Sequence, residues 1–375
     1  HISSDSWPIY ISLQKDGILF KMRRTQDLPD KESATMFFQD CKLAHQAQIT
    51  GISHSVKEIL PPDLLDLTQL QKEANIRYGF TASEVYDIAQ SLYEKKLISY
   101  PRTSSRYLTE DVFDSLPPIM ACLLSWELFP AAKGTGGIDI SNLSRHVISA
   151  EKANVHHAII ITGIRPGNLS EKEMQVYRLV AGRMLETFMA PCRIETTNVE
   201  AVCAAQHFKA EQTRIIEAGW HDVFMRYDMI PTSGYSVKEL PEVEKGDTLN
   251  VCGCNMVHKK ELPVDPFTDA ELVEYMELNG LGTVSSRTNI IRTLVNRKYI
   301  RYSGKYIVPT PKGMFTYETI RGKKIADTSL TADWEKQLAG LESGMITGQD
   351  FLNRIRTLAK EMTDDIFNTY STKEE

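Results

Sequence analysis

Tyr100-Pro101-Arg102-Thr103-Ser104-Ser105 brings a phenol, a guanidinium and three hydroxyls together in consecutive residues. A phenol is a weak nucleophile at neutral pH, because its ordinary pKa is near ~10, so it needs cationic help. Pro101 biases Tyr100 toward an extended backbone, which fixes the direction of the ring. Arg102, two residues on in an extended chain, then points to the same side. A guanidinium there can hold the non-bridging oxygens of a phosphate and stabilise charge as a bond to phosphorus forms. The chemistry these types could support is a phenol reacting beside a phosphate that the guanidinium holds. Two further groups could join it. His156-His157 places two imidazoles side by side. Thr283, Ser286 and Arg287 follow Gly280-Leu281-Gly282 at a helix start, where backbone N–H groups favour an anion. Each also has an ordinary reading: a packing tyrosine, satisfied structural histidines, and helix-capping hydroxyls.

The elements that must position these residues are legible in the pattern. Thr81-Ala82-Ser83-Glu84 is a capping box, and Val85, Ile88 and Leu92 then share one helical face up to Lys95-Lys96. A second box, Thr268-Asp269-Ala270-Glu271, opens a helix expected to bury Leu272, Tyr275 and Met276. Ser285 or Ser286 is expected to cap the next helix, through Ile290, Leu294 and Val295. Leu92 to Tyr100 and Leu294 to Tyr302 read as two versions of one segment, each ending a basic helix and entering extended chain. In the second, Tyr299 to Val308 forms a hairpin around Ser303-Gly304-Lys305. Helix, turn, helix and hairpin in that order describe a winged helix. The first version departs from it, because Pro101 prevents ordinary strand pairing.

Strand-like texture lies outside this helical block. Trp7 to Leu13 and Ile18 to Met22, joined by Asp16-Gly17, predict a hairpin. Thr197 to Val202 and Phe208 to Ile216 predict more strands, as if one β domain were interrupted by a helical insertion. The expected division is a β-rich domain over 1–60 and 196–262, a helical winged-helix-like domain over 61–195, and a C-terminal helical winged-helix-like domain over 263–375. The fold class is α+β and multidomain.

A chain of 375 residues is long for a single core. Its 42% hydrophobic and 25% charged residues exclude a disordered or fibrous class. No run is apolar enough to span a bilayer, and no membrane partner is expected. The opening His1-Ile2-Ser3-Ser4 resembles no signal peptide, and the chain reads as an excised soluble fragment of a cytoplasmic protein. Of the scattered cysteines only Cys252 and Cys254 are close, and C-G-C without a second pair reads as strand rather than zinc site. The formal charge of −6 is unlike a nucleic-acid-coated surface. Locally the picture reverses: from Val284 to Ala326 ten Lys and Arg face the single acid Glu318. Arg297, Lys298 and Lys305 in that stretch are candidate phosphate contacts. No G-x-x-x-x-G-K-[ST] loop occurs, so ATP is not expected.

The segment Ile98-Ser99-Tyr100-Pro101-Arg102-Thr103-Ser104-Ser105-Arg106-Tyr107-Leu108 resembles the active-site segment of type IA topoisomerases, usually I-S-Y-P-R-T-D-S-x-Y-L in the topoisomerase III branch. Val155-His156-His157-Ala158-Ile159-Ile160-Ile161-Thr162 is similar to that branch's H-H-A-I-I-P-T. Gly280-Leu281-Gly282-Thr283-Val284-Ser285-Ser286-Arg287 is similar to G-I-G-T-P-A-T-R. Ser104 stands where the family usually has Asp, and Ile161 and Val284 where it has Pro. The resemblance implies that Tyr100 is the nucleophile, Arg102 assists cleavage and His156 positions or protonates the phosphate. Thr103, His157, Thr283, Ser286, Arg287, Arg297, Lys298 and Lys305 become the expected DNA contacts.

The resemblance also implies a 5′-phosphotyrosyl link, ATP-independent passage of one strand through another, and a toroidal core with a β-rich strand-passage domain. The partners implied are single-stranded DNA and duplex with single-stranded regions, in a nucleoid-associated, cytoplasmic setting. Family members also carry a Toprim domain whose glutamate and D-x-D cluster bind magnesium. Asp63-Leu64-Leu65-Asp66 has the wrong spacing for it, so Mg2+ is expected only through a Toprim domain of the parent chain, and no metal ligand is assigned here. This chain alone is therefore expected to be inactive. A non-enzymatic winged-helix DNA-binding module is the main alternative and explains the basic stretch, but not Y-P-R-T or H-H-A-I-I. A tyrosine recombinase is a weaker one, since its H-x-x-R box precedes its tyrosine.

Overall fold

The computed structural model describes residues 5–28, 30–126, 128–129, 138–153, 156–225, 233–259 and 265–371. His1 to Ser4, and Val155 of the second motif, lie outside the described residues. The chain separates into two compact units, one of 1–62, 129–139 and 185–265, the other of 63–128, 140–184 and 266–375.

The first unit is a closed barrel. Strands β1 (Ile9–Lys15) and β2 (Ile18–Arg24) form the expected hairpin, with Asp16 at φ 50° and Gly17 at φ 81°. Two successive left-handed residues make the turn whose twist matches the flanking strands. Helix α1 (Lys31–Leu43) starts at Asp30, whose carboxylate accepts from the Ser33 N–H at 2.7 Å. β3 (Gln46–Ile59) follows; after the other unit's helices come β4 (Cys192–Cys203), β5 (Gln206–Glu217) and β6 (Thr248–Met256). The strand order is β1-β2-β5-β4-β3-β6, closed by pairing of β6 with β1. Alternate residues face inward, as closure requires, and Ile9, Ile11, Leu13, Met22, Ile49, Ala201 and Phe208 are fully buried there. Cys252 and Cys254 lie in β6, as a strand reading of C-G-C requires. The β4–β5 turn uses Ala204 and Ala205 at φ 47° and 59°. Alanine rarely takes that conformation, which is why no turn signal marks it in the sequence.

The second unit is helical. Its elements are α2 (Leu67–Tyr78), α3 (Ala82–Glu94), α4 (Glu110–Asp114), α5 (Leu116–Ser125), α6 (Ala150–Ala153), most of α7 (Glu171–Phe188), α8 (Asp269–Leu278), α9 (Arg287–Asn296), β7 (Ile300–Ser303), β8 (Tyr306–Pro309), α10 (Pro311–Ile320), α11 (Thr328–Glu342) and α12 (Gly348–Ser371). Both capping boxes are formed: the hydroxyls of Thr81 and Thr268 accept from the N–H groups of Glu84 and Glu271. On α3, Val85 and Leu92 are buried as expected, joined by Ala82 and Ala89. On α8, Ala270, Val273 and Met276 form the buried face. Tyr275 does not join it; it is 43% exposed and packs against Phe267. The hydroxyl of Ser286 does not cap α9 either, since it accepts the Thr283 N–H at 2.8 Å and so closes the preceding turn. Buried Gln71 of α2 ties three elements together, donating to the Ala82 carbonyl at 3.0 Å and to Thr288 Oγ1 at 2.9 Å.

Among the described residues no helix is long and apolar enough to cross a membrane.

Candidate active site

Helix α3 ends at Lys95, and Lys96 turns into the left-handed region at φ 61°. The chain leaves extended. Ile98 bridges antiparallel to Ile161, the Ser99 N–H donates to the Ile160 carbonyl at 2.8 Å, and the Thr162 N–H donates to Leu97 at 3.1 Å. One residue later the ladder stops, as Pro101 demands. The Ser99 hydroxyl stands in for it, donating to the Ala158 carbonyl at 3.1 Å and accepting from the Ile160 N–H at 3.0 Å. This short pairing carries His156 back to Tyr100, although they are far apart in sequence.

The Tyr100 ring sits between two others. Its centroid is 4.5 Å from that of His156 and 5.3 Å from that of Tyr93, which meets it edge-on at 78°. Aromatic contacts of this kind are worth about 0.5–1.5 kcal/mol each beyond burial, enough to restrict the phenol to one direction. Arg102 turns toward the same helix. Its Nη2 donates to Gln90 Oε1 at 3.1 Å and its guanidinium lies 5.1 Å from the centre of the Tyr86 ring. Its Nε is buried and has no hydrogen-bond partner among the described residues. The guanidinium is thus held on two sides against α3.

Thr103 has a different place from the one expected of a DNA contact. It is buried, its hydroxyl donates to the His156 carbonyl at 2.9 Å and accepts from the Ser105 N–H at 3.0 Å. With donor and acceptor both committed inside the protein, Thr103 positions His156. The His157 ring packs beside it half-buried, Nδ1 lying 2.7 Å from the Ala158 carbonyl. His156 itself is exposed.

Ser104 is also exposed and lines a cleft of about 340 Å³ with Asp63, Asp66, Arg106, Tyr107, Lys152 and Glu277. The Asp66 carboxylate both caps α2 and accepts from Arg106 Nε at 2.6 Å. A cleft already holding Asp63, Asp66 and Glu277 gains no further negative charge from serine at 104.

The third motif forms a separate turn. Gly280 ends α8 at φ 64°, and a Cβ on Gly282 would come within 2.8 Å of Ser286 Oγ. The Thr283 hydroxyl lies 3.1 Å from that of Ser286. Arg287 was expected as a phosphate contact at the helix start; instead it is 8% exposed and bonded to Glu277 at 3.3 Å. Helix geometry explains this: ten residues on from Glu277 and past the turn, Arg287 faces back onto α8. The basic stretch is likewise partly neutralised from elsewhere, Arg292 by Asp87 and Lys324 by Glu361. Arg297, Lys298 and Lys305 are exposed.

The structure thus brings Tyr100, Arg102, Thr103, His156 and His157 together, with Tyr86, Gln90 and Tyr93 of α3 as their support. Those three were not singled out from sequence. Their spacing of four and three is a signal, but they flank the apolar face that marks the helix instead of belonging to it. Among the described residues no group of three or more His, Cys, Asp or Glu is placed to hold a metal ion.

The model of the DNA topoisomerase family matches residues 1–353 of this chain. DNA topoisomerase 3 of Bacillus licheniformis is 31% identical over 344 residues, covering 85% of this chain and 47% of that protein. DNA topoisomerase 3 of Bacillus subtilis is 30% identical over 355 residues, covering 87% and 48%. The chain spans about half the length of these relatives. Among solved structures, full-length topoisomerase I from Thermotoga maritima superposes with a TM-score of 0.73 at 22% identity, over 96% of this chain and 59% of that one, a likeness of fold.

Proposed function

This chain belongs to the type IA DNA topoisomerases, in their topoisomerase III branch, and from that premise we propose that Tyr100 is the nucleophile of a single-strand DNA cleavage reaction. The observation that carries the reading is the packing of the Tyr100 ring at 4.5 Å from His156, while Arg102, two residues on, is held against α3 by Gln90. In the reaction, Tyr100 Oη attacks phosphorus, the bond to the 3′ oxygen breaks, and the phenolic proton ends on that oxygen. The strand is left joined through a 5′-phosphotyrosyl ester. Because the ester replaces one phosphodiester by another, the 3′ hydroxyl can reverse the step without ATP. Arg102 stabilises charge on the non-bridging oxygens. His156, exposed beside the phenol, contacts the phosphate or carries the proton. Thr103 keeps it there.

The finer organisation is part of the same proposal. Residues 61–195 and 263–375 act as winged-helix-like domains and 1–60 with 196–262 as the strand-passage domain of a torus. The partners are single-stranded DNA and duplex with single-stranded regions. Thr283 and Ser286 bind phosphate at the turn before α9, and Arg297, Lys298 and Lys305 bind backbone beyond it. Magnesium, supplied by a Toprim domain of the same parent protein, belongs to the whole enzyme, whose setting is the nucleoid. A purely DNA-binding module leaves the packing of Tyr100 against His156 without a purpose.

The test is a denaturing gel of end-labelled single-stranded DNA incubated with this chain, alone and with a Toprim domain supplied, in the presence of magnesium. A covalent band that maps by mass spectrometry to the Tyr100 peptide, and that needs the Toprim domain, is the expected result. Adduct on any other residue refutes the assignment.

A further inference from the structure

The barrel unit holds a second set of nucleophilic side chains that cleavage does not use. Cys41 of α1, Cys203 at the end of β4 and Cys254 of β6 pack in one cluster in the barrel core. They form a gradient of access: Cys41 is 0% exposed, Cys203 1%, and Cys254 only partly covered. Register explains the inward set of Cys254, since it is paired with buried Ile11 and paired residues project to the same face. Its Sγ lies 4.0 Å from the Phe38 carbonyl, one turn before Cys41 on α1. Cys41 interacts with both Cys203 and Cys254, so the three thiols form a series with Cys41 in the middle.

The series gives the three thiols different characters. The Cys41 hydrogen bond holds Cys254 below the ordinary thiol pKa, and nearby Lys42 adds to the effect. Cys41 is lowered by the bond from Cys203, but its own bond to Cys254 and its burial outweigh this and push it up to about 11. Cys203 is pushed up by its contact with Cys41 and by burial. Oxidants react with the thiolate, and they must reach it. Within the cluster only Cys254 meets both conditions, and Cys41 stands directly behind it.

We propose that Cys254 is a peroxide-oxidised site whose product Cys41 resolves, closing a disulfide between β6 and α1. The Cys254 thiolate attacks one oxygen of hydrogen peroxide, the O–O bond breaks, and the departing hydroxide takes up a proton to become water. Sulfur is oxidised to a sulfenic acid. The Cys41 sulfur then displaces the sulfenic hydroxyl, which leaves with the Cys41 proton as a second water while the S–S bond forms. Peroxide supplies the oxidising equivalents for the whole sequence. The product ties α1 to the strand that closes the barrel.

The experiment treats the full chain, folded, with limiting hydrogen peroxide, traps sulfenic acid with dimedone, and maps the tryptic peptides by mass spectrometry. The native chain is expected to yield a Cys41–Cys254 linked peptide that dithiothreitol reverses. Cys41→Ser should replace the link by a dimedone adduct on Cys254. That variant alters the core, so a pair on β6 provides an independent decision: Cys254→Ser should abolish the link, and Cys252→Ser, two residues away and exposed, should leave it intact. The proposal is overturned if dimedone or disulfide appears first at the exposed Cys122 or Cys252 with Cys254 still reduced. It is equally overturned if a link to Cys41 survives Cys254→Ser.

Discussion

At the end of α3 the N–H groups of Lys96 and Leu97 bond to the carbonyls of Tyr93 and Leu92; at the end of α9 those of Lys298 and Tyr299 bond to Val295 and Leu294. Both helices close with the same motif, a lysine at φ 61° where glycine is usual. The likeness goes further. Thr162 donates its hydroxyl to the Lys96 carbonyl at 2.6 Å and Thr310 donates to Lys298 at 2.6 Å, so in each copy the returning strand is clamped at the same point. What differs is the chain between. In the second copy β7 turns tightly at Gly304 into β8, and Tyr302 donates to the Asp269 carboxylate at 2.7 Å. In the first, Pro101 ends the pairing, the chain returns to it only at Ala158 to Thr162, and that return brings His156 to Tyr100. The comparison teaches how one scaffold yields two uses of tyrosine. A phenol inside a regular hairpin is committed to a carboxylate; a phenol at an interrupted one is held by its ring, and on the proposed reading its oxygen is the nucleophile.

The largest effect should separate the two tyrosines outright. With a Toprim domain supplied, Tyr100→Phe should abolish the covalent DNA adduct, whereas Tyr302→Phe should leave it and cost only about 1 kcal/mol of stability in urea titration. Equal loss of adduct in both would erase the distinction. Next come the supports of the first copy. Arg102→Ala should lower the cleavage rate by about 10²–10³-fold, the usual cost of a transition-state donor. Gln90→Ala, which loosens Arg102 without touching the phosphate, should cost about tenfold. A single-turnover assay finding Gln90→Ala as damaging as Arg102→Ala would mean that Gln90 contacts the DNA itself.

Charge gives a smaller contrast. Arg297 and Lys298 are exposed, but Lys95 at the matching helix end is 2.5 Å from Glu173, whose carboxyl it holds down at about 2 with help from Ser170 and Ser91. Replacing Arg297, Lys298 and Lys305 together by Gln should flatten the salt dependence of single-strand binding by up to about 0.7 per lost contact. Lys95→Gln should leave that slope unchanged, and a fall there would show that both copies grip backbone. Smaller still, Lys96→Gly and Lys298→Gly should each add about 0.5–1 kcal/mol of stability in urea titration, because both relieve a left-handed lysine. A gain in only one copy would mean that the two helix ends are alike in outline alone.

The last contrast is in pH. Burial raises the pKa of Asp269, opposed by the hydrogen bond from Tyr302. A carboxyl raised in the folded state contributes stability that is present below its unfolded pKa and is lost as pH rises through the folded value. From about pH 4 upward, then, the native chain should lose ground to Asp269→Asn in urea midpoint. Parallel pH profiles for the two would contradict the direction.

Much of this was legible in one dimension, for local reasons. Capping boxes at Thr81 and Thr268 depend on a hydroxyl and a carboxylate three residues apart, and the Asp16-Gly17 turn on two residues that accept positive φ. The likeness of Leu92–Tyr100 to Leu294–Tyr302 is a matter of local side chains, and so is the break at Pro101. Tertiary structure alone decided the rest. Nothing near Arg287 in sequence says that it meets Glu277, nor near Thr103 that its hydroxyl reaches the His156 carbonyl. The same holds for Tyr86, Gln90 and Tyr93, which become the support of Tyr100 and Arg102 only once the extended segment folds back along α3. Periodicity reports which face of a helix is apolar, because water and core act on every turn alike. It is silent about the polar face, whose partners are set by where a distant segment happens to return.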